Sequence, residues 1–163
     1  MSNRCFIIDT NIIIAANGGT DHLEEKETDK CKQFVSTLFE NSIISLDLQG
    51  EIFQEYFKYV DRRGQPGIGD YFVKYLWDRQ NNIKYCEKVN IEKNKKGIYK
   101  QFNKKEDLLE FDSNDQKFIA VYLGSKMNTI ICNASDSDWE NSKALLMKYN
   151  INVLEILKEE KIC

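Results

Sequence analysis

Apolar positions fall along this chain in two alternating patterns. Residues 4–9 (RCFIID), 42–46 (SIISL) and 129–132 (TIIC) are nearly continuous apolar runs of strand length, the pattern of strands buried on both faces of a parallel sheet. Between these runs the apolar residues recur at helical spacing. Cys31, Phe34, Val35 and Leu38 follow i, i+3, i+4, i+7, predicting an amphipathic helix that opens where Asp21 and Glu24 hold capping-box spacing and ends near Glu40. Ile52, Phe53, Tyr56, Phe57 and Val60 share one face of a helix after the second strand. Tyr71, Phe72, Tyr75 and Leu76 predict the buried side of a helix over residues 70–80. Ser113 and Gln116 have capping-box spacing again and open a helix through Tyr122, with Phe118, Ile119 and Tyr122 inward. A short helix is expected over 12–16, a longer one over 138–149 and a last strand over 151–156.

Two stretches interrupt the alternation. Residues 63–69 hold three glycines and the single proline, predicting a loop. Over 83–105 the periodicity degrades into an ill-defined strand and a lysine-rich connection, at about 84–105. Strands alternating with helices predict an α/β fold, a three-layer α/β/α sandwich with a mostly parallel central sheet. At 163 residues the chain suits one domain over 1–163 with a single core.

Composition narrows the chemistry. With a net charge of −3 the molecule is no polycation, so nucleic acid would have to meet a local basic patch. Cys5, Cys31, Cys86, Cys132 and Cys163 are odd in number and widely spaced, which fits neither a zinc ribbon nor a disulfide framework and suggests a reduced, cytoplasmic protein. No apolar run approaches the ~20 residues of a membrane helix. His22 is the single histidine, in a charged stretch, which argues against a Ser-His-Asp relay or paired histidines. Catalysis, if present, falls to carboxylates.

The acids are placed for it. Asp9 ends the first strand, while Asp136 and Asp138 lie just beyond the TIIC strand, and parallel strands open their C-terminal ends on one edge. Asp115 sits in the first turn of the helix before that strand. Glu55 lies one turn into the helix after the second strand, with Glu51 as second choice for the same role. Clustered carboxylates repel one another unless a cation neutralises them, and hard oxygen donors select Mg2+ or Mn2+. Each acid also has an ordinary use: an Asx turn for Asp9, helix-dipole complementation for Asp112 and Asp115, an N-cap for Asp136 or Asp138.

Ile8-Asp9-Thr10-Asn11, Glu55-Tyr56, the run from Phe111-Asp112 through Asp115 to Phe118 and Ala120, and Asn133-Ala134-Ser135-Asp136-Ser137-Asp138-Trp139 resemble, in order and spacing, the successive acidic motifs of PIN-domain nucleases, over residues 6 to about 156. The resemblance implies an α/β/α sandwich, a divalent metal and endonucleolytic cleavage of single-stranded RNA. It implies catalysis by Asp9, Glu55, Asp115 and Asp136, metal held by Asp9, Asp115 and Asp136 with Glu55 and Asp138 as further ligands, and support from Thr10, Asn11 and Asp112. A second ion is expected with substrate. Asp136 and Asp138 compete for the principal place. Many PIN proteins are toxins held by antitoxins; the stretch 61–110 is longer than compact toxins need, which weighs against such a partner, while an inhibitory protein or a homo-oligomer stays open. A catalytically weak RNA-binding module is the alternative reading, opposed by the intact acids. An aspartyl-phosphate phosphatase needs a second acid where this chain has Asn11.

Substrate contact is expected from the lysine-rich connection. Residues 84–105 hold eight lysines and two glutamates, a local +6 that leaves −9 for the rest. Tyr99 and Phe102 alternate with Lys95, Lys96, Lys100, Lys104 and Lys105, the composition of a strand-tracking groove with stacking rings. Arg62 and Arg63 are a second contact candidate. Trp77 and Trp139 are expected in the core.

Overall fold

Five strands, β1 (Arg4–Ile8), β2 (Ser42–Asp47), β3 (Cys86–Val89), β4 (Thr129–Asn133) and β5 (Val153–Glu155), pair in parallel into one sheet of order β3-β2-β1-β4-β5. This is a computed structural model, and it describes residues 3–158; Cys163 lies outside them. β1 is central and buried from Cys5 to Ile8, which is why its apolar run is continuous rather than alternating. The helices are α1 (Thr10–Ala16), α2 (Glu25–Thr37), α3 (Glu51–Tyr56), α4 (Ile68–Arg79), α5 (Gln116–Gly124), α6 (Ser137–Asn141) and α7 (Lys143–Lys148). α1, α2 and α4 pack against one another, while α5 lies against β1, β2 and β4, completing a three-layer α/β/α sandwich.

The strand order sets the place of the site. The chain steps from β1 outward to β2 and β3, then returns to β4 on the other side of β1. Right-handed crossovers put the connections of the two halves on opposite faces. The C-terminal ends of β1 and β4 are therefore neighbours whose continuing chains part, which opens a crevice between them.

Several boundaries differ from the sequence expectation, each for a local reason. The capping box of α2 joins Glu24 to Glu27, three residues beyond Asp21, with the Glu27 carboxylate accepting from Glu24 N at 2.9 Å. α4 starts at Ile68 rather than Asp70, because the Asp70 carboxylate reaches back to accept from Gly67 N (2.8 Å) and Asp61 N (2.8 Å). The glycine run is also a packing surface: a Cβ on Gly69 would stand 2.5 Å from the Ile13 carbonyl oxygen, so only glycine lets α4 close on α1. α5 is capped by Asp115, not by a Ser113 box. The predicted helix over 138–149 is two helices, broken at Ser142 (φ −99, ψ 12) beside Asn141, both poor helix formers. α3 stops at Tyr56, yet Phe57 and Val60 still pack on the core from the turn that follows.

Burial also corrects two aromatic assignments. Phe72, Val73 and Leu76 form the inner stripe of α4, leaving Tyr71 at 54% and Trp77 at 44% exposure. Tyr122 is half-buried, its hydroxyl donating to Asn150 O. The ill-defined strand expected within 83–105 is β3, an edge strand whose two middle residues, Glu87 and Lys88, are half-buried and polar. Among the described residues Cys5, Cys31, Cys86 and Cys132 are buried, none of them in a disulfide, and no helix is long and apolar enough to cross a membrane.

Candidate metal centre

Three aspartates meet at the crevice, each at the start of a helix. Asp9 leaves β1 with its N–H bonded to Cys132 O of β4 (3.0 Å) and caps α1, Oδ1 accepting from Asn11 N at 3.1 Å. Asp115 is the N-cap of α5. Asp136 is the N-cap of α6, Oδ1 accepting from Asp138 N at 2.9 Å. The turn and cap roles that the sequence left open are thus real for Asp9 and Asp136, and they coexist with convergence: one carboxylate oxygen from each of Asp9, Asp115 and Asp136 lies within 4.8 Å of the others.

Helix N-termini favour negative charge nearby, by about 0.3–1 kcal/mol each. Burial outweighs that here. Asp9 is 3% exposed, and burial pushes its carboxyl up to about 7 against the opposing hydrogen bonds from Asn11 N and Trp139. Burial, then the charges of Asp9, Asp136 and Asp112, push Asp115 up to about 8. The Asp136 charge raises Asp138.

The surrounding donors fix the geometry. Trp139, fully buried in α6, donates from Nε1 to Asp9 Oδ2 at 2.5 Å. Asn11 braces Asp9 through its backbone N–H, while its side chain reaches across the crevice: Nδ2 donates to Asn133 Oδ1 (2.7 Å) and Oδ1 accepts from Ala134 N (2.9 Å). Asn133 Nδ2 in turn donates to Asp136 O (2.9 Å) and Glu155 Oε2 (2.7 Å). These bonds latch α1 to the loop that carries Asp136. Tyr56 OH donates to Ile8 O at 2.5 Å, beneath the end of β1. Thr10 Oγ1, next to Asp9, is buried with no hydrogen-bond partner.

Other expected residues stand elsewhere. Glu55 is held by Lys58 (2.8 Å) and lies 3.8 Å from Lys117, outside the three-acid group. Glu51 accepts from Tyr99 OH (3.1 Å) and pairs with Lys93 (3.2 Å). Asp138 is likewise outside the group, and Asp112 is exposed, its Oδ1 accepting from Asn114 N while its charge acts on Asp115.

The stacking role assigned to Tyr99 and Phe102 is overturned: they are 5% and 2% exposed, packed edge to face in the core against α5. Their alternation with lysine is that of a half-buried turn. Lys95, Lys96 and Lys104 are exposed, while Lys100 pairs with Glu92 at 2.7 Å. Arg62 is exposed over the Phe57 ring (4.1 Å), and Arg63 pairs with Asp61 (2.7 Å).

Trp139 lies in the core as expected, but its hydrogen bond to Asp9 was not foreseen, and neither Asn133 nor Lys117 was given a part in the site. A lysine in the otherwise apolar stretch KFIAVYL of α5 was the available signal, since buried cations are rare unless paired. Lys117 is 9% exposed; its Nζ donates to Asn114 O, and its charge favours ionised Asp9 and Asp115.

The three-acid group could hold a metal ion. Each of its three members offers a carboxylate oxygen, the donor a hard cation takes, and the mutual charge that, after burial, raises Asp115 is one a bound cation would relieve. Comparison of the chain with protein-family models, curated proteins and solved structures finds no match.

Proposed function

We propose that this chain is a ribonuclease that hydrolyses phosphodiesters of single-stranded RNA at internal positions with Mg2+ or Mn2+, in the manner of the PIN-domain nucleases its acidic motifs resemble. The convergence of Asp9, Asp115 and Asp136 within 4.8 Å at the switch point of a parallel sheet carries the proposal. Asp9, Asp115 and Asp136 would hold the ion. Bound there, it supplies an activated water and a Lewis acid for the phosphoryl oxygens.

The chain's own contribution is preorganisation. Trp139 and Asn11 N take one oxygen each of Asp9 and hold its rotamer. The Asn11–Asn133 latch keeps Asp136 at a set distance from β1. Neither needs to move when charge develops on the phosphate, which is where fixed dipoles help most. Exposed Lys95, Lys96, Lys104 and Arg62 would draw the RNA backbone toward a molecule that is acidic overall. With Tyr99 and Phe102 in the core, the reading as a pure RNA-binding module loses its stacking surface. Four buried cysteines outside any disulfide suit a reducing compartment such as the cytoplasm.

Incubation of the purified protein with end-labelled single-stranded RNA in Mn2+, Mg2+ or EDTA tests the proposal. Cleavage is expected with either metal and none with EDTA; undiminished cleavage in excess EDTA contradicts it.

A further inference from the structure

Lys117 places a mostly buried ammonium group beside Glu55 and the turn that carries Asp115. In two-ion phosphodiesterases the ions sit ~3.5–4 Å apart and share carboxylates. The resemblance names Glu55 as a further ligand, and it is already engaged by lysines. Glu55 Oε2 takes Lys58 Nζ at 2.8 Å and stands 3.8 Å from Lys117 Nζ, with both Glu55 and Lys117 side chains mostly buried (16% and 11% exposed). The same Lys117 ammonium acts on Asp9 and Asp115. It therefore bears at once on two triad acids and on the acid from α3, and its donation to Asn114 O ties it to the turn that carries Asp115.

Burying an ammonium group is costly unless an anion compensates it, and Glu55, 3.8 Å away, is the anion at hand. A divalent ion placed against Glu55 would have to displace this cation or sit beside it in a poorly screened site.

We propose that Lys117 is the built-in second cation of this centre, so that the triad takes one divalent ion and Glu55 serves as the counter-ion of Lys117 rather than as a metal ligand. The inference rests on the metal-site reading of the triad and sets its stoichiometry. The structural consequence is a site whose charge is balanced partly by a side chain and partly by one exchangeable ion.

The test is Mn2+ titration by calorimetry together with electron paramagnetic resonance, on the wild type, K117M, K117R and E55Q, each checked for folding by circular dichroism. The wild type should bind one Mn2+ with the spectrum of an isolated ion. K117M should bind two and show a spin-coupled pair, while K117R should remain at one. E55Q should keep the single ion with affinity changed less than threefold. A coupled pair in the wild type overturns the inference, as does K117M that folds and stays at one ion. If K117M does not fold, the wild-type count and E55Q decide, and a tenfold or larger loss of affinity in E55Q overturns it. Failure of the underlying reading looks different: the wild type then binds no Mn2+, or binds it equally well as D9N, and the inference falls with it.

Discussion

The indole Nε1 of Trp139 donates a 2.5 Å hydrogen bond to Oδ2 of Asp9, a residue 130 positions away in the chain. Asp9 Oδ1 takes Asn11 N, so each oxygen of this buried carboxylate has one protein donor and keeps lone-pair capacity for a further partner. The first turn of α6 thereby aims the acid that ends β1, and the aim depends on a side chain whose ring belongs to the core.

Trp139→Phe separates the two roles of that residue. The ring that packs on Phe111 is largely kept and the donor is lost. We expect the variant to fold and its Mn2+ affinity to fall ~10–100-fold, the usual effect of removing a partner of a metal ligand. Calorimetric titration checks this, and wild-type affinity in a folded variant would show that the bond has no part in the site.

Asp9→Asn should fold as well, since an amide oxygen can still accept from one of the two donors. Metal-dependent RNA cleavage should drop by more than the ~10–100-fold that an outer partner is worth. Cleavage at the wild-type rate, with circular dichroism matched, contradicts the assignment.

The raised acids give stability a definite pH dependence. Asp9 at about 7 and Asp115 at about 8, against 3.8 for a free carboxyl, keep protons in the metal-free folded state that the unfolded chain has released. Their contribution is full near the unfolded value and is lost as pH rises through the folded values. In EDTA, Tm should therefore fall from about pH 5.5 to about pH 8. Asp115→Asn should be more stable than the wild type at about pH 8, by on the order of 1–3 kcal/mol. Saturating Mn2+ should reverse that ordering, because only the wild-type triad gains the full binding free energy. Scanning calorimetry with and without metal measures it; a Tm that climbs over this range in EDTA contradicts the account.

The lysine-rich turn divides into core and surface. Phe102→Ala should cost about 3–5 kcal/mol of stability as a large-to-small core change, with no selective effect on RNA affinity. Replacing Lys95, Lys96 and Lys104 together by Gln should leave stability nearly unchanged and flatten the salt dependence of RNA binding by roughly 0.7 per lost phosphate contact. Denaturant melts and filter binding at several salt concentrations distinguish the two. An unchanged salt slope places the RNA path elsewhere, with Arg62 next.

What could be read from the sequence was whatever depends on continuous burial. β1, β2 and β4 are covered on both faces, so their apolar runs show directly, and with them the strand-end position of Asp9. The sheet-edge strand β3 was blurred because its two middle residues, Glu87 and Lys88, are polar and only half-buried. Asp9, Asp115 and Asp136 were legible as a group because strand order puts two of them at neighbouring ends. Glu55 was placed with them because helix position alone carries no information about which cation its side chain meets, and here that cation is lysine. Tyr99 and Phe102 misled for a related reason: alternating aromatic and basic residues look the same whether the rings face RNA or the core.

A divalent ion held by Asp9, Asp115 and Asp136 would be seen by anomalous diffraction at the manganese edge, from wild-type and Asp9→Asn crystals grown with Mn2+. One strong peak is expected in the wild type, contacted by an oxygen of each aspartate, and its loss or marked weakening in Asp9→Asn. No peak at the crevice, or a peak held by Asp136 and Asp138 without Asp9, would contradict that ion site.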